Sequence, residues 1–564
     1  MFQLLLLLSC LTTSLANAKT IRAGIPSNPS VTVRNGTYYG LHNEHYNQDF
    51  FLGMPYALQP VGDLRLQTPQ SLNTSWSSAR NATQYSPACV GFGQTEGASE
   101  ACLTLNVIRP GNTSTHDRLP VAVWIYGGGF TSGSSSDPQY NLSYIVDQSV
   151  QMGQPMIAVS LNYRLHCWGF MWGKEIKEAG VGNLGLRDQR LALHWINENI
   201  AAFGGDPTQV TIWGESAGAN SVGTQLVAYG GRDDGLFRAA ISESAAPSVY
   251  QRYSTPADWQ PYYDAIVTAA GCSSATDTLA CLRTIPTDTL HSIFDNTSIV
   301  PAHSISGLSG ATFTPVIDDD FIAESATIQL QEGKFVKVPY LIGANNDEGT
   351  TFALTGINTD AEFAEKVVKG WGLDNITTEI LEALYPDIPE IGIPEIMTGR
   401  PPAQFGKQYK RVAAFQGDTN IHAPRRLTSR MWAYYNVTAY SYRFDAFNPA
   451  YGPSAGSYAG STHGVEIPYV FYNLDKVGDG ENDTPNAYSD LSKIMSRMWV
   501  SFVTNLDPNY YEGTNPHWPA YNLDNPEIIF FNTSVPNGSY AYLDIYRAEG
   551  IKYISDHLAD AFGR

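Results

Sequence analysis

A serine hydroxyl is a weak nucleophile until a neighbouring base takes its proton, and one serine of this chain stands in a setting built for that. Gly214-Glu215-Ser216-Ala217-Gly218 follows directly on the apolar run Val210-Thr211-Ile212-Trp213. A β-branched run that enters Gly-x-Ser-x-Gly and leaves into a helical pattern describes a strand–turn–helix elbow. Such a turn is too tight for side chains at its flanks, and it thrusts the hydroxyl out above a sheet. A second match, Gly452-Pro453-Ser454-Ala455-Gly456, lies in a Gly/Ser/Tyr-rich stretch with no strand before it, and Pro453 restricts the backbone there. Ser454 reads as an ordinary loop residue, and Ser216 as the nucleophile.

Activating Ser216 requires a histidine, and the histidine requires a carboxylate to hold its tautomer and stabilise the imidazolium. At an elbow of this kind the chain order is Ser, then Asp or Glu, then His. That order leaves His422, His463, His517 and His557 as candidate bases. His463 is the strongest, because Gly460-Ser461-Thr462-His463-Gly464 is a flexible approach that could reach another strand's tip. For the carboxylate, the strand-like Tyr340 to Gly343 runs into Asn345-Asn346-Asp347-Glu348-Gly349. Residue type and spacing do not separate Asp347 from Glu348. The oxyanion of a tetrahedral intermediate needs main-chain N–H donors. One should come from Ala217, and others from Gly127-Gly128-Gly129-Phe130, a glycine run at the end of the strand-like Val121 to Tyr126.

These groups must be carried by rigid elements. Val121 to Tyr126, Met156 to Leu161, Val210 to Trp213, Ala239 to Ser242 and Tyr340 to Gly343 are short apolar runs suited to strands buried on both faces of a parallel sheet. Between two of them, Asp188 to Phe203 spaces Leu193, Ile196, Ile200 and Phe203 as a helix, ended by Gly204-Gly205, and Leu491 to Val503 reads as another helix. The alternation predicts an α/β fold with a large, mostly parallel sheet covered by helices on both faces, and open sheets of that kind place sites at the carboxyl ends of their strands. A turn at Asn35-Gly36 predicts an antiparallel hairpin, Val31–Val33 with Tyr38–Tyr39, added to the sheet's edge.

The composition bounds the setting. An apolar stretch from Leu4 to about Leu15 followed by Ala16-Asn17-Ala18 reads as a signal peptide over residues 1–18, leaving 19–564 as one domain with no linker-like tract. That stretch is too short to span a bilayer, and nothing later reaches about 18 uninterrupted apolar residues. A secreted, soluble protein without stable membrane insertion is expected. Sequons at Asn35, Asn73, Asn81, Asn112, Asn141, Asn296, Asn375, Asn436, Asn482, Asn532 and Asn537 agree with secretion. So do the cysteines: with Cys10 removed in the signal peptide, Cys89 with Cys102, and Cys272 with Cys281, are close enough to close small loops, which leaves Cys167 as a buried thiol. None of the spacings is that of a zinc site, and neither metal nor organic cofactor is called for. A formal charge of −20 disfavours nucleic-acid and anionic-membrane partners.

Together these segments resemble the type-B carboxylesterase/lipase family, the cholinesterase-like α/β-hydrolases that include secreted fungal lipases. The resemblance rests on Phe51 to Ala57, Glu100 to Val107, Trp124 to Phe130, Asn162-Tyr163-Arg164, Phe203 to Pro207, Gly214 to Gly218, Pro315 to Asp318, Asp347-Glu348-Gly349 and His463-Gly464. It implies an α/β-hydrolase fold, Glu348 rather than Asp347 as the triad carboxylate, and Gly128, Gly129 and Ala217 as the oxyanion donors. It further implies ion pairs Arg65–Glu100 and Arg164–Asp188, and a supporting hydroxyl at Ser244. Three departures stand out. Ala101 replaces a usual Asp, which should vacate one buried polar contact. Glu243-Ser244-Ala245 replaces Gln-Ser-Gly. The segment between Cys89 and Cys102, a longer amphipathic lid in the family's lipases, is short and Gly-rich here, with little apolar face to shield a lipid-binding surface.

The expected activity is hydrolysis of a small-molecule carboxylic ester by a Ser216–His463–Glu348 triad. An acyltransferase using the same residues is the first alternative. A non-catalytic, cholinesterase-like adhesion protein is the second, and the intact triad positions disfavour it. Oligomeric state is not legible in the sequence.

Overall fold

The computed structural model describes residues 28–94, 96–249, 251–301, 312–447, 458–477, 485–511 and 517–564. The segment read as a signal peptide, Ser454 and Asn482 lie outside the described residues. An eleven-stranded sheet organises the chain. Its middle strands run parallel in the spatial order Ile157–Leu161, Leu119–Ile125, Gly205–Glu215, Ala239–Glu243, Tyr340–Asn345, Ala439–Phe444 and Glu527–Phe531. All five apolar runs singled out in the sequence are strands of this set. They are buried on both faces because helices cover both sides, as their unbroken β-branched and aromatic composition requires.

Antiparallel strands finish both edges. Ser539–Leu543 pairs with Glu527–Phe531 at one side, and Thr104–Pro110, Gln48–Pro55 and Leu41–Asn43 extend the other. The expected hairpin forms with Val31 opposite Tyr38, but it does not lie on this edge. With Arg80–Asn81 it makes a separate three-stranded sheet. The chain leaves that hairpin at Gly40, where a β-carbon would sit 2.2 Å from the Phe50 carbonyl oxygen. It then enters Leu41–Asn43, which occupies the edge instead.

The expected helix over 188–203 begins four residues earlier. Asn183 adopts a left-handed conformation, and Leu184–Asn199 follows as an α-helix, tightened at Ile200–Phe203 into a 3₁₀ turn. The helix expected over 491–503 spans Pro485–Asn505. Cys89–Cys102 and Cys272–Cys281 are disulfides, and Cys167 is free and buried. Both expected ion pairs form, Arg65–Glu100 at 2.7 Å and Arg164–Asp188 at 2.6 Å. Ala101, in contrast, is exposed, so the missing aspartate vacates no buried contact. Its N–H is capped by Ser99 Oγ at 3.1 Å.

Candidate active site

Ser216 follows Glu215 at the carboxyl end of a central strand and precedes the helix Ala217–Gly231. Its backbone, φ 56° and ψ −124°, is one that a residue with a β-carbon adopts at a cost of order 1–3 kcal/mol. Two main-chain hydrogen bonds hold it there: Ser216 N–H donates to Glu243 O at 2.9 Å, and Asn220 N–H donates to Ser216 O at 2.9 Å. The flanking glycines are steric necessities. A β-carbon on Gly218 would fall 2.0 Å from Ile125 O, and one on Gly214 would fall 2.5 Å from the Gly218 carbonyl carbon.

The neighbouring strand Leu119–Ile125 delivers the glycine loop. A β-carbon on Gly127 would come within 2.9 Å of Ser216 Cβ, so this loop lies directly against the serine. Gly128 and Gly129 both have positive φ, 100° and 61°, the turn a side chain would resist. The amide-rich loop and the N-terminus of the helix at Ala217 converge beside Ser216 Oγ, where the helix dipole favours negative charge.

His463 Nε2 lies 2.8 Å from Ser216 Oγ, and His463 Nδ1 lies 2.6 Å from Glu348 Oε2. The other oxygen, Glu348 Oε1, accepts Asn345 N–H at 2.7 Å. A carboxylate at 348 can only accept, so Nδ1 carries the imidazole proton and Nε2 faces the serine as acceptor. Glu348 is fully buried, and His463 is only 12% exposed. Phe352 stands edge-on to the imidazole, 5.0 Å between ring centroids.

Asp347 and Glu348, inseparable by position, have different partners. Asp347 Oδ2 accepts Ser461 N–H at 2.8 Å, and Asp347 N–H donates to Ser461 O at 3.0 Å. Asn345 Nδ2 adds a bond to Thr462 O at 2.8 Å, and Thr350 Oγ1 bonds Thr462 Oγ1 at 2.7 Å. Asp347 therefore clamps the loop that carries His463, while Glu348 faces the ring. Burial pushes the Asp347 carboxyl up to about 7, with Asp445 adding to the effect. The remaining candidate histidines are elsewhere: His422 is buried among Arg547, Arg425, Arg443 and Arg426, His517 is exposed, and His557 bonds Asp560.

Three further acids gather behind the histidine. Glu215 Oε1 is 3.4 Å from His463 Nε2. Glu466 accepts Ser244 Oγ–H at 3.2 Å, the hydroxyl the family pattern singles out, and also bonds Asn345 Nδ2. Glu243 accepts two indole N–H groups. Sequence reasoning did not assemble these acids, although Glu215 sits inside the elbow motif and Glu466 three residues beyond His463. Burial raises Glu215 to about 8, with Glu466 and Glu348 adding to the effect, and raises Glu466 to about 7, with Glu348 adding to it. Burial alone would favour a neutral imidazole at His463, but Glu215, Glu348 and Glu466 outweigh it and push it up to about 9.

The short disulfide loop is fastened beside this site. Phe92 N–H donates to Thr131 O at 2.8 Å, Gly133 N–H donates to Gln94 Oε1 at 3.1 Å, and Gly93 N–H donates to Asp295 Oδ2 at 3.0 Å.

An eleven-stranded mixed sheet bearing a serine elbow at its carboxyl edge defines the α/β-hydrolase class, and comparison with known proteins agrees. The carboxylesterase family model matches residues 27–541. Lipase 4 of Diutina rugosa is 36% identical over 544 residues, covering 90% of this chain and 92% of that protein. Secreted lipase 1 of Botryotinia fuckeliana is 34% identical, covering 87% of each. The crystal structure of Aspergillus niger EstA superposes with a TM-score of 0.82 at 28% identity, over 95% of this chain and 99% of that one. The chain belongs to the carboxylesterase family and is a carboxylic ester hydrolase. Among the described residues, no helix is long and apolar enough to cross a membrane.

Proposed function

We propose that the protein is a secreted serine esterase of small-molecule carboxylic esters, working through an acyl-enzyme on Ser216. The observation that carries the reading is the continuous row Ser216 Oγ, His463 Nε2, His463 Nδ1, Glu348 Oε2, with steps of 2.8 and 2.6 Å. Ser216 Oγ attacks the ester carbonyl carbon as its proton passes to His463 Nε2. The carbonyl oxygen takes the negative charge and is met by the N–H groups of Gly128, Gly129 and Ala217, each such donor worth about 10²–10³ in rate. Collapse expels the alcohol, which takes the proton from the imidazolium. Water then attacks the acyl-Ser216 ester with His463 again as base, and the carboxylic acid leaves. Glu348 stabilises the imidazolium in both halves.

Secretion is supported by the two disulfides and by relatives named as secreted lipases. The ten described sequon asparagines are exposed or partly exposed, as glycan attachment requires. Ser216→Ala tests the assignment: turnover of a p-nitrophenyl ester should fall by at least 10³-fold with the circular dichroism spectrum unchanged. Activity within tenfold of wild type would refute it.

A further inference from the structure

Glu243 is a buried acid that the reaction above does not use. Its side chain is fully buried at the end of the strand Ala239–Glu243. Both of its contacts fall on one oxygen: Trp213 Nε1–H donates to Oε1 at 2.5 Å, and Trp499 Nε1–H donates to the same oxygen at 2.6 Å. The other oxygen, Oε2, has no hydrogen-bond partner among the described residues. Two N–H donors fill the two lone pairs of a carbonyl oxygen. An ionised carboxylate would spread its charge over both oxygens and leave one of them buried with no donor among the described residues. A bare neutral hydroxyl costs less than a bare charged oxygen, so the asymmetry fits Oε1 as C=O and Oε2 as the hydroxyl oxygen of an acid.

The surroundings agree. Glu466 and Glu215 act on Glu243 as like charges, Tyr442 from Ala439–Phe444, two strands away, presents a phenol rather than a cation, and Glu348 and His463 act on Glu215 in the same cluster. Burial and Glu466 together hold the Glu243 carboxyl well above the usual carboxylate range. A single imidazole cannot balance four buried, ionised glutamates. The same residue touches the nucleophile through its backbone, because Glu243 O accepts Ser216 N–H at 2.9 Å. The indoles that grip its side chain are themselves fixed: Trp213 stacks on Phe471 at 4.6 Å, and Trp499 packs edge-on to Tyr442 at 5.3 Å.

We propose that Glu243 is a positioning residue kept as an un-ionised carboxylic acid, its side chain clamped by Trp213 and Trp499 so that its main-chain carbonyl holds the Ser216 N–H while its proton spares His463 a further negative neighbour. The proposal builds on the Ser216–His463–Glu348 reading for its kinetic half only. Its protonation half stands without turnover.

Glu243→Gln and Glu243→Leu test it. The infrared difference between wild type and E243Q in D₂O at pH 7 should show loss of one un-ionised carboxylic acid C=O stretch. Loss of a carboxylate stretch instead would overturn the protonation half, whatever Ser216 does. The acid limb of the kcat/KM profile should coincide in E243Q and wild type to within about 0.3 pH units, since a neutral amide replaces a neutral acid. A downward shift of about a unit or more would mean that a charge had been removed, and would overturn it as well. E243L, lacking any acceptor for the two indoles, should lower kcat by about tenfold or more with KM little changed, and E243Q should recover most of that loss. Unchanged kcat in a folded E243L would overturn the positioning half. If E243L does not fold, kcat of E243Q more than about tenfold below wild type would overturn it.

Discussion

Glu348→Gln removes one charge and leaves the shape of the side chain almost intact, so its effect can be worked from the contacts. Both oxygens of Glu348 are acceptors in use, Oε1 from Asn345 N–H at 2.7 Å and Oε2 from His463 Nδ1–H at 2.6 Å. A glutamine supplies only one acceptor. If its oxygen serves Asn345, its NH₂ faces Nδ1, and the imidazole must shift its proton to Nε2, where it can no longer accept from Ser216. If its oxygen serves His463, the NH₂ opposes a buried amide N–H. Either way the working tautomer is disfavoured and the imidazolium loses its counter-charge. Substitution of this kind in a serine triad costs about 10⁴ in kcat, or about 5.4 kcal/mol of transition-state stabilisation. We expect a 10³–10⁴-fold loss of kcat on p-nitrophenyl butyrate with KM changed by less than about threefold. Asp347→Asn is the control, because an amide can still accept Ser461 N–H; kcat should stay within about fivefold. E348Q within tenfold of wild type, or D347N falling as far as E348Q, would refute the division of labour between these neighbours.

Three further outcomes follow from the same contacts. The proposed reaction needs neutral His463, so kcat/KM should fall as pH drops below the imidazole pKa, and that acid limb should lie above the ordinary 6.5 because of the acids around it. Glu215→Gln, which removes the acid 3.4 Å from Nε2, should move the limb to lower pH; an upward move would contradict the reasoning. Asp544, fully buried between Arg425 and Arg426 at 2.7 and 2.8 Å, is held far below the usual carboxylate range by those arginines although burial opposes it. Asp544→Ala should cost about 3–5 kcal/mol in urea unfolding at pH 7. Because the folded pKa is depressed, that difference should be complete above about pH 4 and shrink only as pH falls further. Finally, the disulfide loop fastened at Phe92, Gly93 and Gln94 offers little apolar face, so the rate on tributyrin should pass through its solubility limit without a step; an increase of tenfold or more there would contradict it.

Much of the candidate site's geometry was legible because it is imposed locally. The elbow glycines are dictated by contacts with Ile125 and with the turn itself, and the glycine loop by its approach to Ser216. Residues that must satisfy such constraints leave a fixed pattern in the chain. The choice between Asp347 and Glu348 was not local: both follow the same strand, and only the 3₁₀ turn Glu348–Thr350 and the path of the loop at Ser461 decide which faces His463. The acid cluster was hidden for a related reason. Glu215, Glu243, Glu348 and Glu466 come from separate segments, and nothing in any one of them announces the others. The N-terminal hairpin was recognisable from its turn, but its partner was not, since pairing with Arg80–Asn81 depends on the bend at Gly40. The start of the helix at Leu184 escaped periodicity because Asn183 ends the preceding turn through backbone conformation and not through polarity.

The central claim is that the acyl group travels on Ser216 Oγ, and covalent capture addresses it most directly. Incubation with a p-nitrophenyl alkylphosphonate, followed by peptide mass spectrometry, should place one phosphonyl group on Ser216, with loss of activity in step with labelling and no adduct in Ser216→Ala. Full inactivation with the label on another residue, or an unlabelled Ser216 in a fully inhibited enzyme, would contradict the account.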